Sequence, residues 1–148
     1  MACRFRYFIL IVLTSLGLIC GCSPAPDSNL EADKETYNGL RSIEQAFRKH
    51  QSGFFVASSG TIENILTDDL KPPPHQRIIL RLENGQTLLL LFNINVCPRI
   101  DDLAVGDKID FRGRYLWNEK GGAIDYIHRD PAGRIDGGWL KHNGKTYR

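Results

Sequence analysis

The sequence predicts a mainly β domain, five strands preceded by a single helix. Three observations predict it. From Phe54 onward, stretches of strand length alternate or concentrate apolar residues. Before them, one stretch repeats apolar residues at helical spacing instead. Gly113 then stands in the middle of a long alternating stretch, where a sharply coiled strand needs a glycine. These features suit a small five-stranded OB-like barrel, because closure removes sheet edges and glycines or bulges turn the corners. An open antiparallel sheet plus helix, an α+β arrangement, is the alternative.

The elements follow in chain order. In "ETYNGLRSIEQAFRKHQSG", Tyr37, Leu40, Ile43 and Phe47 share one helical face. Arg48, Lys49 and His50 suit the negative end of the helix dipole, and Gly53 is a stop signal. This predicts a helix over 36–53, with Gly39 weakening it. "FFVASSGTIENIL" opens the barrel region, 54–148, and Gly60 predicts a bend in it. Pro72 to Pro74 close the next loop to helix. "QRIILRL" alternates, setting Ile78, Leu80 and Leu82 against Arg77, Ile79 and Arg81. Asn84-Gly85 is a strong hairpin signal, and "TLLLLFNI" is apolar enough to be covered on both faces. "PRIDDLAVGD" reads as a short helix or turn. "KIDFRGRYLWN" sets Ile109, Phe111, Gly113, Tyr115 and Trp117 against Asp110, Arg112 and Arg114. "EKGG" turns the chain into a fifth strand, "AIDYIHRD". "GGWLKHNGKTYR" is a tail of short strand or coil. The strands are expected in meander order.

The N-terminus carries a different message. Arg4 and Arg6 precede an apolar run from Phe8 to Ile19, about a dozen residues where a bilayer span needs roughly 20. Residues 1–21 therefore read as a secretory signal peptide. Ile19-Cys20-Gly21-Cys22 resembles the lipobox of bacterial lipoproteins, with Cys22 as the residue cut and lipidated. Cys20 fits less well, because bulky Ile19 precedes it. The resemblance implies acylation, palmitate included, and a stable membrane anchor. Ser23 after the cysteine implies the periplasmic face of the outer membrane, in a Gram-negative host. "SPAPDSNLEADKE", within 22–35, reads as a flexible tether. An ordinary signal peptide with incidental cysteines is the alternative.

With Cys3 and Cys20 in the signal and Cys22 lipidated, Cys97 is the one cysteine left to the domain. No internal disulfide can form, so the fold rests on its core. Cys97 reads as a small buried apolar residue rather than a reactive thiol. Removing Arg4 and Arg6 from 19 basic residues leaves 17 against 17 acidic ones. That balance argues against general nucleic-acid binding. No phosphate-binding loop, dinucleotide fingerprint, nucleophile elbow or Ser/His/Asp spacing is present.

The strings "HQRIILRLENGQTLLL", "RIDDLAVGDKIDFRGRYLWNEKGG", "HRDP" and "GGWLKHNGKTY" are similar, in order, to a bacterial domain-of-unknown-function family, number three-four-six-five. The similarity covers roughly Gly60 to Tyr147 and implies domain identity more than activity. Family members show His-Asn-Ile where this chain has Phe92-Asn93-Ile94. They show His-Trp-Thr-His where it has Asp125-Tyr126-Ile127-His128, and a further His at Ile135. The resemblance thus implies that any histidine-rich metal or acid/base centre of the family is reduced here to His75 and His128.

Two candidate sites follow. His75 and His128, with Asp125 and Asp130, could hold a divalent metal or act in acid/base catalysis near neutral pH. That is the chemistry of a metal-assisted hydrolase such as a phosphodiesterase. Alternatively each histidine satisfies a loop, and Asp130-Pro131 opens a turn. Arg77, Arg81, Arg112 and Arg114, with Asn93 and Trp139, could instead bind an anionic ligand or an envelope protein on an outer barrel face. That is a binding module without catalysis, and no cofactor is expected for it.

Overall fold

The computed structural model describes residues 28–148. The segments expected to be signal peptide, lipidation site at Cys22 and the first part of the tether lie outside them. Helix α1 runs Ser28–Arg48. It starts inside the segment expected to be tether, because "NLEADKE" consists mostly of good helix formers and places Glu31 in the positively polarised first turn. It also ends before the expected Gly53. His50 adopts a left-handed φ of 54°. Its N–H reaches the Phe47 carbonyl, and the Gln51 N–H reaches the Ala46 carbonyl at 2.9 Å. This is a Schellman cap built on histidine rather than glycine.

The buried stripe of α1 is Gly39, Ile43 and Ala46, with Leu40 and Phe47 partly covered. Tyr37, expected on that stripe, is exposed. Gly39 lies so close to β1 that an added Cβ would sit 1.7 Å from the Ala57 carbonyl oxygen. Trp117 fixes the other end of α1, donating its indole N–H to the Phe47 carbonyl at 3.1 Å.

Seven strands follow: β1 Phe54–Asp69, β2 His75–Arg81, β3 Thr87–Asn93, β4 Lys108–Leu116, β5 Ala123–Asp125, β6 Trp139–His142 and β7 Lys145–Tyr147. β1 is long enough to serve two partners. Its first half pairs with β4 from Phe54 to Thr61, and its second half with β2 from Thr61 to Asp69. Gly60 marks the exchange. An added Cβ there would meet the Arg81 carbonyl at 2.9 Å, so the predicted bend lies where two strands crowd a third.

The order β1-β2-β3-β5-β4 returns to β1 and makes a ring of five strands. The mainly β class, the single helix and the OB-like ring agree with the sequence. Meander order does not hold, because β5 pairs parallel to β3 through Leu89–Ala123 and Leu90–Ile124. The fifth strand is also shorter than expected. Only Ala123–Asp125 is extended, and Tyr126 then takes a left-handed φ of 55°. β4 pairs with β5 through its last residues, and with β6 through Asp110–Arg112. Gly113 sits at the changeover, with room for no Cβ beside Ile124 and the Asp125 carbonyl. The tail thus becomes a hairpin, β6–β7, added to the ring. The 94–107 connection holds turns and coil, not a helix.

Alternation builds the core as the sequence predicts. Ile78, Leu80, Leu88, Leu90, Phe92, Ile109, Phe111, Tyr115 and Ile124 of the ring, with Leu140 of β6, are all buried in one core. Each such side chain contributes about 1.5–3 kcal/mol by leaving water. Cys97 is buried with them, and desolvation holds its thiol pKa above the ordinary value, which suppresses the thiolate.

Candidate functional site

The stretch from Asp125 to Trp139 becomes one tied turn. Asp130 accepts the backbone N–H groups of Ala132 at 3.1 Å, Arg134 at 2.9 Å and Ile135 at 3.3 Å. Those donors, led by Ala132, hold its carboxyl below the ordinary aspartate pKa. Gly137 and Gly138 let the returning chain lie on the outgoing one. A Cβ on Gly138 would stand 2.1 Å from the Tyr126 carbonyl, and the Gly138 N–H donates to the His128 carbonyl at 2.7 Å. Asp130 is therefore committed to its own turn.

His75 and Asp125 do approach, with Nε2 4.0 Å from Oδ1. They come from β2 and β5, and β3 between them supplies Asn93 opposite His75. Asn93 uses its side-chain oxygen locally, accepting the Asn95 N–H. His128 lies along the turn instead. Its ring stacks on Tyr126 at 5.2 Å, and its Nδ1 lies 2.8 Å from the Arg129 carbonyl oxygen. Among the described residues, no group of three or more His, Cys, Asp or Glu side chains gathers as a metal cage.

The arginines divide. Arg77 donates from Nε to the Thr67 carbonyl at 2.8 Å, and Arg81 pairs with Glu63 and the Gly85 carbonyl. Both tie β2 to its surroundings. Arg112 and Arg114 lie two apart on the outer face of β4. Arg114 covers the Tyr126 ring at 4.5 Å, and its buried Nε has no hydrogen-bond partner among the described residues. Arg112 reaches the Gly137 carbonyl from Nε at 3.3 Å. It also lines a cleft of about 490 Å³ beside the turn. Arg129, Arg148, Trp139, Asp136 and Glu35 line the same cleft. Of these, sequence reading had singled out Arg112 and Trp139. Arg129 stands in the turn itself, and Glu35 comes from α1 and Arg148 from the end of the chain beyond β7.

Sequence reading also passed over His142. Its side chain is fully buried, with Nε2 2.7 Å from Asp107 Oδ2. The signal was local: Leu140 and His142 alternate with Lys141, so a strand through them buries the histidine.

Comparison with known families follows from residues 30–148, which match the model of a family described as "Protein of unknown function (DUF3465)". The chain belongs to that family. No curated protein matches it.

Proposed function

We propose that this family member is a non-enzymatic binding module, held at the periplasmic face of the outer membrane by lipid on Cys22, and that it takes an anionic ligand. The supporting observation is the cleft beside the Asp130 turn, whose lining brings Arg112, Arg129, Arg148 and Trp139 together, with Glu35, Asp130 and Asp136 on the same walls. Guanidinium groups offer forked donors to carboxylate or phosphate. The indole adds a flat face for a sugar or other ring. The turn behind them is held by Asp130 and by the Gly137-Gly138 approach, so the cleft is shaped before any ligand arrives, which lowers the ordering cost of binding.

Calorimetric titration of the purified chain with an oligogalacturonate and with polyphosphate tests the reading. One of the two is expected to bind with an affinity that falls as salt rises, and Arg129→Ala with Arg148→Ala is expected to weaken it at least about tenfold, the loss of one good charge-assisted contact. Equal affinity in the double variant, or no binding of either probe, overturns it.

A metal-assisted hydrolase is the second reading, favoured by one observation, the approach of His75 to Asp125 across β3. Turnover of a phosphodiester that is lost in both His75→Ala and Asp125→Asn would displace the binding-module reading.

A further inference from the structure

We propose that the outward face of α1 docks on an anionic lipid surface and so fixes how the anchored domain stands on its membrane. The inference rests on the reading of Cys22 as the lipidated residue, and it uses neither the cleft nor the histidines. α1 packs on β1 and buries Gly39, Ile43 and Ala46. A seven-residue step carries a helix through almost two whole turns. Lys34, Arg41 and Arg48 therefore stack in one line, on the opposite side of the helix from Ile43. All three are exposed, and the line they form is about 21 Å long. Tyr37 and Gln45 fill the same line, and Lys49 follows it in the capping turn, exposed like the rest. Glu44 borders the line and pairs with Arg48. Glu31, Asp33 and Glu35 lie off it, on the flanks of the helix.

The face is thus sorted by charge and carries an aromatic ring. Tyr37 is 55 % exposed, and the Arg41 guanidinium lies 5.9 Å from its ring centre. An apolar ring with a polar tip suits the headgroup level of a bilayer, where one end is apolar and the other wet. Lys and Arg around it suit the phosphates.

The anchor selects the occupant. Five residues, Ser23 to Asp27, separate Cys22 from α1. The six steps from Cys22 to Ser28 span at most about 20 Å, so lipid on Cys22 keeps the start of α1 beside the bilayer. The strands are joined to the anchor only through α1 and carry no such constraint. A helix of 21 residues is about 30 Å long, room enough for the whole cationic line to lie along the surface. Each cation at an anionic surface strengthens association about fivefold. That is too little for the line to hold the chain alone, and enough to choose the face that an anchored chain presents.

Amine labelling tests it. The full chain, matured in a Gram-negative host, is purified and its Cys22 checked for acyl groups by mass. It is then placed on vesicles of phosphatidylglycerol with phosphatidylethanolamine, or on phosphatidylcholine vesicles. A water-soluble amine reagent reports the exposure of each lysine. On the anionic vesicles Lys34 and Lys49 are expected to react at least about fivefold more slowly than on phosphatidylcholine. Lys120 and Lys145, exposed on the ring and the hairpin, are expected to react equally on both. Arg41→Gln with Arg48→Gln is expected to return Lys34 to its phosphatidylcholine rate while the acyl anchor stays in place, and raising salt on the parent is expected to do the same. An acylated chain whose Lys34 reacts equally on both vesicles, whose Lys120 or Lys145 is protected instead, or whose protection survives both salt and the double variant overturns this docking and leaves the anchor standing. A chain with no acyl group on Cys22 overturns both.

Discussion

Gly39 shows how one residue can carry opposite signs in sequence and in structure. By helix propensity alone, Gly39→Ala should stabilise α1 by about 1 kcal/mol. Its Cβ would instead stand 1.7 Å from the Ala57 carbonyl oxygen, and a backbone atom cannot swing aside. Overpacking of this kind costs about 1–3 kcal/mol. Gly39→Ala is therefore expected to lower the denaturation midpoint, with Tyr37→Ala, at an exposed position, close to neutral; a midpoint raised by Gly39→Ala would show that α1 can lift off β1. Neither Gly39 nor His142 was readable in full from neighbouring residues. Gly39 owes its role to a strand that begins 15 positions later. His142 owes its role to Asp107, 35 positions earlier. What local sequence did carry was which face β2 and β4 bury; β3, expected to be covered on both faces, buries Leu88, Leu90 and Phe92 while Leu89 and Leu91 stay partly exposed.

Among the elements, the turn after β5 has the plainest chemical dependence. Its closure rests on an ionised Asp130 receiving three backbone N–H groups. Because the folded-state pKa is depressed, the ionised turn is favoured at every pH above the unfolded value, about 3.9. That contribution is lost as pH falls through the lower folded-state pKa. In an acid titration followed by NMR, the amide signals of Ala132, Arg134 and Ile135 are expected to move together, at a midpoint below the ordinary aspartate value. A midpoint at or above the ordinary value would mean that the turn is held by the Gly137-Gly138 contact without the carboxylate. Asp130→Ala should abolish the titration and loosen the cleft that Arg129 and Trp139 line. The sequence disclosed the Asp-Pro turn and the close-packed glycines. It did not disclose that β5 would stop at Asp125, because the left-handed Tyr126 that ends it answers to stacking against Arg114 and His128 rather than to any local preference of tyrosine.

At the scale of the molecule, ring closure depends on pairings between residues far apart in the chain, above all the parallel contact of β3 with β5. Alternation gives each strand a buried face but not a neighbour, which is why the strand order escaped a local reading while the OB-like class did not. The buried side chains identified in α1 and the ring lie at Ile43 and beyond, so the proposed anchor at Cys22 and the folded domain are separable. Cys22→Ala in the full precursor, expressed in a Gram-negative host, is accordingly expected to move the protein from the membrane fraction to the soluble periplasmic fraction. Its melting temperature should match that of the domain released from the wild type by cleavage in the tether. Two acyl chains hold a protein stably at a bilayer where one holds only marginally, so the shift should be nearly complete rather than partial. Retention of Cys22→Ala in the membrane fraction would instead place the attachment in the signal segment or in the domain itself. The cleft of Arg112, Arg129 and Arg148 would then be the first surface to test, because three guanidinium groups that can hold an acidic glycan can also hold anionic headgroups.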